Sequence, residues 1–305
     1  MIWTGRNDGE DALHQRVFQR VRTDLNYENL QPGQFALHGF AVDEGVRRNK
    51  GRVGAASAPD RIRSAAANFP VVSPDFLLAD FGNIRCENRN LEEAQANFAA
   101  CVRRVLSQGA RSVGFGGGHE IAFAHYSGIK SAFPEERVGI VNIDAHFDNR
   151  EPEPGVGASS GTGFWQIAQQ GRMHSLHIGI QRNSNTLKLF DTAHNFGMNY
   201  ILADELFFEN LPNIYRKIDE FLAGVDCLYL TLCMDVFNAG IAPGVSALAY
   251  NGIFVDAAFM HFFRHILKSG KMVAMDVAEV NPEYDIDGRT ARLAASLINE
   301  WFLAV

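Results

Sequence analysis

From about residue 35 onward, apolar and polar positions along the chain fall into two alternating patterns. Short runs rich in β-branched and aromatic residues predict strands at 35–42, 76–82, 112–116, 138–144, 176–180, 200–204, 227–234 and 272–280. Between them, apolar residues recur at i, i+3, i+4 and i+7. LEEAQANFAACVRRVLSQG (91–109), IYRKIDEFLAG (214–224), AAFMHFFRHILKSG (257–270) and the final RTARLAASLINEWFLAV (289–305) are the clearest cases. Each predicts a helix with one buried face, whose Phe and Met residues read as packing. Such alternation builds a mainly parallel sheet with helices on both faces. The expected fold is therefore α/β, a three-layer α/β/α sandwich around about eight strands. No repeat, low-complexity tract or linker divides the chain, so residues 1–305 read as one domain.

Composition narrows the function classes. The 35 acidic residues outnumber the 28 Lys and Arg, a net charge of −7, so no basic footprint invites nucleic acid. The longest apolar stretches are strand-sized, short of the roughly 18 to 20 residues a membrane helix needs, so no membrane partner is expected. The start, MIWTGRNDGEDALHQR, lacks a basic segment followed by an apolar one, which leads to the expectation of a cytoplasmic protein. Cys86, Cys101, Cys227 and Cys233 show no CxxC spacing, against a disulfide framework or a structural zinc site. The basic run RRNKGR (47–52) reads first as a solvated loop.

In open parallel sheets ligands bind beyond the carboxyl ends of the strands, so polar residues that end strand runs carry the most functional weight. Four ends stand out. GFGGGHE (114–120) presents His119 and Glu120 after three glycines that allow a tight turn. VNIDAHFDNR (141–150) carries Asp144, His146 and Asp148 on alternate residues, which on an extended backbone face one way while Ala145 and Phe147 face the other. Two carboxylates and an imidazole so gathered repel and desolvate one another unless a cation compensates them. LTLCMDVFN (230–238) delivers Cys233 and Asp235 on one face, and DVAEVNPEYD (276–285) places Glu279 near a strand end before a turn-forming Asn281–Pro282.

In their order and spacing, GGGHE, DAHFD and the later strand ends resemble the ureohydrolase superfamily, which includes arginases and agmatinases. The likeness is greatest to its formimidoylglutamase branch, and it starts at WTGRND (3–8). It includes NKGRVGAASAPDRIR (49–63), FGNIRCE (81–87), SSGTGF (159–164), QRNSNT (181–186), APGVSA (242–247) and AEVNPEYDIDGRTARLAA (278–295). The resemblance implies an arginase-like fold and hydrolysis of N-formimidoyl-L-glutamate to L-glutamate and formamide, a step of histidine degradation. It also implies two Mn2+ ions held by His119, Asp144, His146, Asp148 and Asp235, with a shared water deprotonated to the attacking hydroxide. Asp148 or Asp235 would carry protons, and Glu279 would grip the cationic amidine. The two substrate carboxylates need cations or hydroxyls; Arg150 is the first candidate, followed by Ser159, Ser160, Asn49 and Arg52. A homo-oligomer is an open expectation.

The chain departs from that pattern at Cys233-Met234-Asp235, where the branch carries Asp-x-Asp, so the acid expected to bridge both metals is a thiol. Manganese prefers oxygen and nitrogen donors and a thiolate prefers softer ions, so Cys233 as a ligand weakens or changes the pair, down to one ion. Asn238, Leu248 and Asn251 replace Pro, Pro and Arg, and Gly163 replaces another Pro, which predicts a looser segment over 233–252. Two alternatives follow: a weakly active or non-catalytic homologue with an impaired metal site, and an enzyme of the agmatinase or arginase type.

Overall fold

The structure, a computed structural model, describes residues 3–304. Nine strands form one sheet: β1 Val21–Arg22, β2 Phe35–Ala41, β3 Leu78–Arg85, β4 Arg111–Phe115, β5 Val138–Ile143, β6 His174–Ile180, β7 Asn199–Leu202, β8 Cys227–Cys233 and β9 Met272–Ala278. Their order is β1-β3-β2-β4-β9-β8-β5-β6-β7, and every pairing is parallel. All eight expected strands are present. The ninth, β1, is a two-residue edge strand on β3, too short to leave an apolar period in the sequence. The strand expected at 76–82 instead begins at Leu78 and runs to Arg85, because the turn ending in Phe76 occupies its first residues.

Strand alternation divides the core between two faces. On β5, Val141 and Ile143 join the cluster covered by the helices Ala58–Ala66, Leu211–Ala223, Ala257–Leu267 and Arg289–Leu303. Val138 and Ile140 join the opposite cluster, under Leu91–Ser107, Ile121–Ala132, Gly163–Gln169 and Leu187–Asn195. This is the three-layer sandwich that the pattern predicts. The helix starts are chemically marked: Asn90 accepts from Glu93 N at 3.2 Å and Asp256 from Phe259 N at 2.9 Å. Asp285 does the same for the last helix, accepting from Thr290 N and Ala291 N at 2.9 and 3.0 Å. That helix was expected over 289–305; Val305 lies outside the described residues.

The topology sets up the site. β4, β9, β8 and β5 are consecutive neighbours in the middle of the sheet, and their carboxyl ends are the four segments singled out in the sequence. Residues from 119 to 279, far apart in the chain, are thereby brought to one sheet edge. Among the described residues, no helix is long and apolar enough to cross a membrane.

Candidate metal centre and substrate cavity

The chain bends after β4 as expected, and what requires glycine there is close approach. Gly116, Gly117 and Gly118 are absent from the positive-φ glycines, but a Cβ on them would collide with the carbonyl of Val277, the carbonyl of Val42 and the carboxyl of Glu120. Gly118 N also donates to Val42 O at 2.9 Å, and Glu279 N donates to Gly117 O at 2.8 Å. The loop is thus pinned between the ends of β2 and β9, which fixes His119 over the sheet edge.

β5 stops at Ile143, so the expected extended alternation does not continue to residue 148. The convergence is achieved otherwise. Asp144 Oδ1 accepts the backbone N–H of His146 at 2.8 Å, and Asp148 turns back with φ 45°. Ala145 and Phe147 are fully buried, as expected. Glu279 also sits in the left-handed region, at φ 65°; such backbone strain in residues with side chains concentrates at functional sites.

The donors form two overlapping groups that share Asp144. His119, Asp144 and Cys233 make one, Asp144, His146 and Asp235 the other, each with ligand atoms within 4.8 Å of one another. His119 Nδ1 lies 2.9 Å from Asp144 Oδ2 and 2.9 Å from Asp148 Oδ2. His146 Nδ1 lies 3.4 Å from Asp144 Oδ1 and 3.3 Å from Asp235 Oδ2. Cys233 and Asp235, expected on one face, fall in different groups because β8 ends at Cys233 and Asp235 belongs to the following helical turn. The other oxygen of Asp235, Oδ1, is buried without a hydrogen-bond partner.

The electrostatics mark the place where a cation belongs. Burial and the Asp144 charge push the Asp235 carboxyl up, and burial with Asp235 and Glu120 pushes Glu279 well up. Burial alone would lower both imidazoles, yet Asp144 and Asp148 hold His119, and Asp235 and Asp144 hold His146, well above the ordinary value. Protons are drawn onto Asp235, Glu279 and both imidazoles, while against burial His119 and His146 hold the Asp144 carboxyl below its ordinary value, so charge that water cannot reach is largely neutralised. A divalent ion among the same atoms would do this more fully. In donor chemistry, two carboxylates and an imidazole fit manganese, while the group containing Cys233 mixes in a soft donor.

A buried polar chain, not foreseen from the sequence, lies beneath His119. His119 Nε2 is 3.0 Å from Thr231 Oγ1, and Thr231 donates to Asp276 Oδ1 at 2.6 Å. Asp276 Oδ2 accepts from Tyr229 at 2.6 Å and pairs with His125 Nδ1 at 2.6 Å, while His125 Nε2 reaches Ser112 at 2.9 Å. All five of these supporting residues are fully buried. The available signal was an acid in the middle of the apolar run MVAMDVAEV, which without partners would be costly.

Above the donors lies a cavity of about 150 Å³ lined by Asn49, Gly51, His146, Asp148, Arg150, Ser160, Ser184, Leu189, Asp235, Ser246, Ala247 and Glu279. Arg150 is the sole Arg or Lys among these residues. Asn49 donates to Ser160 Oγ at 3.3 Å. Two expected substrate contacts are placed elsewhere. Ser159 is buried behind the wall, its N–H donating to Thr162 Oγ1 at 2.9 Å. Arg52 donates to the carbonyls of Ser246 and Val245 and stacks 4.1 Å over Tyr284, so its guanidinium is already partnered. Ser184 and Ser246, in the QRNSNT and APGVSA motifs, line the cavity but were not singled out individually. The rest of the basic run is also paired: Arg47 and Arg48 meet Glu44, and Arg48 meets Glu92.

The segment expected to loosen is knitted by one of its own departures. Asn238 donates to Tyr250 O at 2.7 Å, accepts from Gly240 N at 2.9 Å, and its N–H reaches Ile253 O at 2.9 Å. Amide hydrogen bonds do there what a proline would do by restricting φ.

Known proteins share both the sequence pattern and the fold. The sequence profile of the Arginase family matches residues 33–304. The formimidoylglutamase of Geobacillus sp. (strain WCH70) is 42% identical over 305 residues, covering 98% of this chain and 93% of the relative. That of Clostridium tetani (strain Massachusetts / E88) is 40% identical over 313 residues, covering 97% and 92%. The fold matches the crystal structure of Bacillus subtilis formimidoylglutamase with a TM-score of 0.87 at 21% identity, covering 98% and 94% of the two chains. It matches Trypanosoma cruzi formiminoglutamase with Mn2+ at 0.84 and 23% identity, covering 95% and 98%. With the profile spanning nearly the whole fold and relatives at 40% identity or more along almost the full length, the chain belongs to the arginase family.

Proposed function

We propose that the protein hydrolyses N-formimidoyl-L-glutamate to L-glutamate and formamide, with His119, Asp144, His146, Asp148, Cys233 and Asp235 holding a pair of divalent ions that includes Mn2+. The observation that carries this reading is the pair of donor groups joined through Asp144, of which His146 and Asp235 line a cavity that also presents Glu279 and Arg150. The formimidoylglutamase name of the relatives at 40 and 42% identity supports it over an arginase, an agmatinase or a non-catalytic homologue. The Mn2+ form of the Trypanosoma cruzi protein supports the metal.

When bound, paired divalent ions lower the pKa of a shared water toward neutrality and so supply a nucleophile that no side chain need provide. The chain supplies binding and proton handling. Glu279 is aimed by its backbone N–H to Gly117 O and accepts from His119 N at 2.9 Å, which leaves its carboxyl to face a cationic amidine. Arg150, with its planar fork, takes a substrate carboxylate, and Asn49, Ser160, Ser184 and Ser246 offer polar groups to the other. Asp148 and Asp235 line the same cavity and are placed to pass a proton to the departing glutamate nitrogen. Arg52 braces the 245–246 wall.

The test is release of formamide and glutamate from N-formimidoyl-L-glutamate by metal-loaded protein under reducing conditions, with arginine and agmatine in parallel. Turnover of the first substrate alone is expected. No turnover of any of the three would overturn the reading.

A further inference from the structure

The departure at residue 233 does more than weaken an otherwise ordinary pair of sites. Cys233 is the last residue of β8, held in register opposite Ala278 of β9, and is 1% exposed. Its sulfur lies in a buried group with a His119 ring nitrogen and an Asp144 oxygen, all within 4.8 Å of one another. A cysteine that merely filled core space would face apolar atoms. This one faces an imidazole and a carboxylate, and the nearby Asp235 carries a buried oxygen, Oδ1, with no partner. The neighbouring group, Asp144, His146 and Asp235, offers only oxygen and nitrogen. The two halves therefore differ in softness, and softness sorts divalent ions: imidazole with thiolate suits zinc or iron, carboxylate-rich donors suit manganese.

We propose that His119, Asp144 and Cys233 hold a thiophilic divalent ion of the zinc(II) or iron(II) class while Asp144, His146 and Asp235 hold manganese(II), so that Asp144 bridges two different metals. The inference deepens the reading of the site as a cation pair. Binding deprotonates the Cys233 thiol and releases that proton to solvent; no oxidation is involved.

Cobalt(II) serves as the probe, because a thiolate bound to it gives an intense charge-transfer band in the near ultraviolet that oxygen and nitrogen ligands do not. The full chain, stripped of metal and titrated with cobalt(II), is expected to develop this band, and Cys233→Ser is expected to lose it. Zinc outcompetes manganese at most sites, so absolute content decides little. The informative quantity is the change on substitution: the zinc-to-manganese ratio retained from an equimolar mixture should fall at least tenfold in Cys233→Asp. A wild-type cobalt spectrum without the band, or an unchanged ratio, would overturn the assignment. Formamide release, measured separately with manganese alone and with zinc plus manganese, tells the two failures apart. Turnover without the sulfur band sinks the mixed pair and leaves the hydrolase reading standing. The band without turnover in any mixture does the reverse.

Discussion

Thr231 gives its only hydroxyl proton to Asp276 Oδ1, 2.6 Å away. Its oxygen can therefore only accept from His119 Nε2, at 3.0 Å, which fixes a proton on Nε2 and turns Nδ1 toward Asp144 and Asp148, where a bound cation would take the place of the second proton that those carboxylates draw onto the ring. A buried threonine thus passes the orienting influence of a carboxyl to a histidine it does not touch. Outer partners of this kind are worth about 10- to 100-fold in metal affinity. Thr231→Val should lower manganese affinity in equilibrium dialysis by that factor, and Thr231→Ser should restore most of it. An unchanged affinity in Thr231→Val would show that the tautomer is fixed by something else.

Gly117 is where the loop carrying His119 meets the end of β2, and a Cβ there would collide with the Val42 carbonyl, a backbone atom that cannot swing away. Gly117→Ala should destabilise the fold by more than the ~1 kcal/mol of a typical substitution. In the fraction that folds it should also lower metal retention, because Glu279 N is bonded to Gly117 O. Urea denaturation together with metal analysis checks both effects.

Arg150 and Arg52 separate binding from support. Arg150→Met removes the sole guanidinium of the cavity, and the loss of one charge-assisted hydrogen-bonded contact, about 1.5 to 3 kcal/mol, should raise KM for N-formimidoyl-L-glutamate about 10- to 100-fold with kcat little changed. Arg52→Met leaves two backbone carbonyls unpartnered and should lower the urea midpoint as well as activity. Equal KM effects without loss of stability would mean that both bind substrate.

Away from the site, Arg63 and Asp80 form a buried pair at 2.8 Å, joined by Trp3 Nε1 at 2.7 Å from Asp80. Burial alone would raise the Asp80 carboxyl, but the hydrogen bonds and charge of Arg63, with Gly82 N and Trp3, outweigh it and hold the group below its ordinary value. A carboxyl depressed in the folded state stabilises the protein above the unfolded pKa, about 3.9. That stabilisation is lost as pH falls through the lower folded value. Removing one partner of a buried pair costs about 3 to 5 kcal/mol, so Arg63→Met should show a large loss at pH 7. Asp80→Asn should also flatten the acid limb of the stability curve. An unaltered acid limb in Asp80→Asn would assign it to other carboxyls.

How far this was legible in the sequence depended on the range of each signal. Strands that are buried on both faces announce themselves as apolar runs, so β2 to β9 could be read, whereas β1, two residues paired only by its backbone, could not. His119, Asp144, His146, Asp235 and Cys233 were readable because polar residues at the ends of apolar runs are costly and therefore informative. The route to their convergence was not readable: a left-handed Asp148 replaced the expected extended alternation. Arg52 misled, since an arginine in a motif looks the same whether it meets a ligand or two carbonyls of its own chain. Asp276 and Thr231 went unnoticed because their partners are more than forty positions away, and only the fold brings them together.

The most direct test of the central claim, that the converging acids and imidazoles are tolerable because cations sit among them, is metal content after dialysis against manganese and zinc. Because Asp144 is common to both donor groups, the proposed cation pair predicts two equivalents per chain in the wild type and fewer than one in Asp144→Ala, with a lower thermal midpoint on chelation of the wild type only. A wild-type chain that retains no metal and melts at the same temperature with or without a chelator would contradict it.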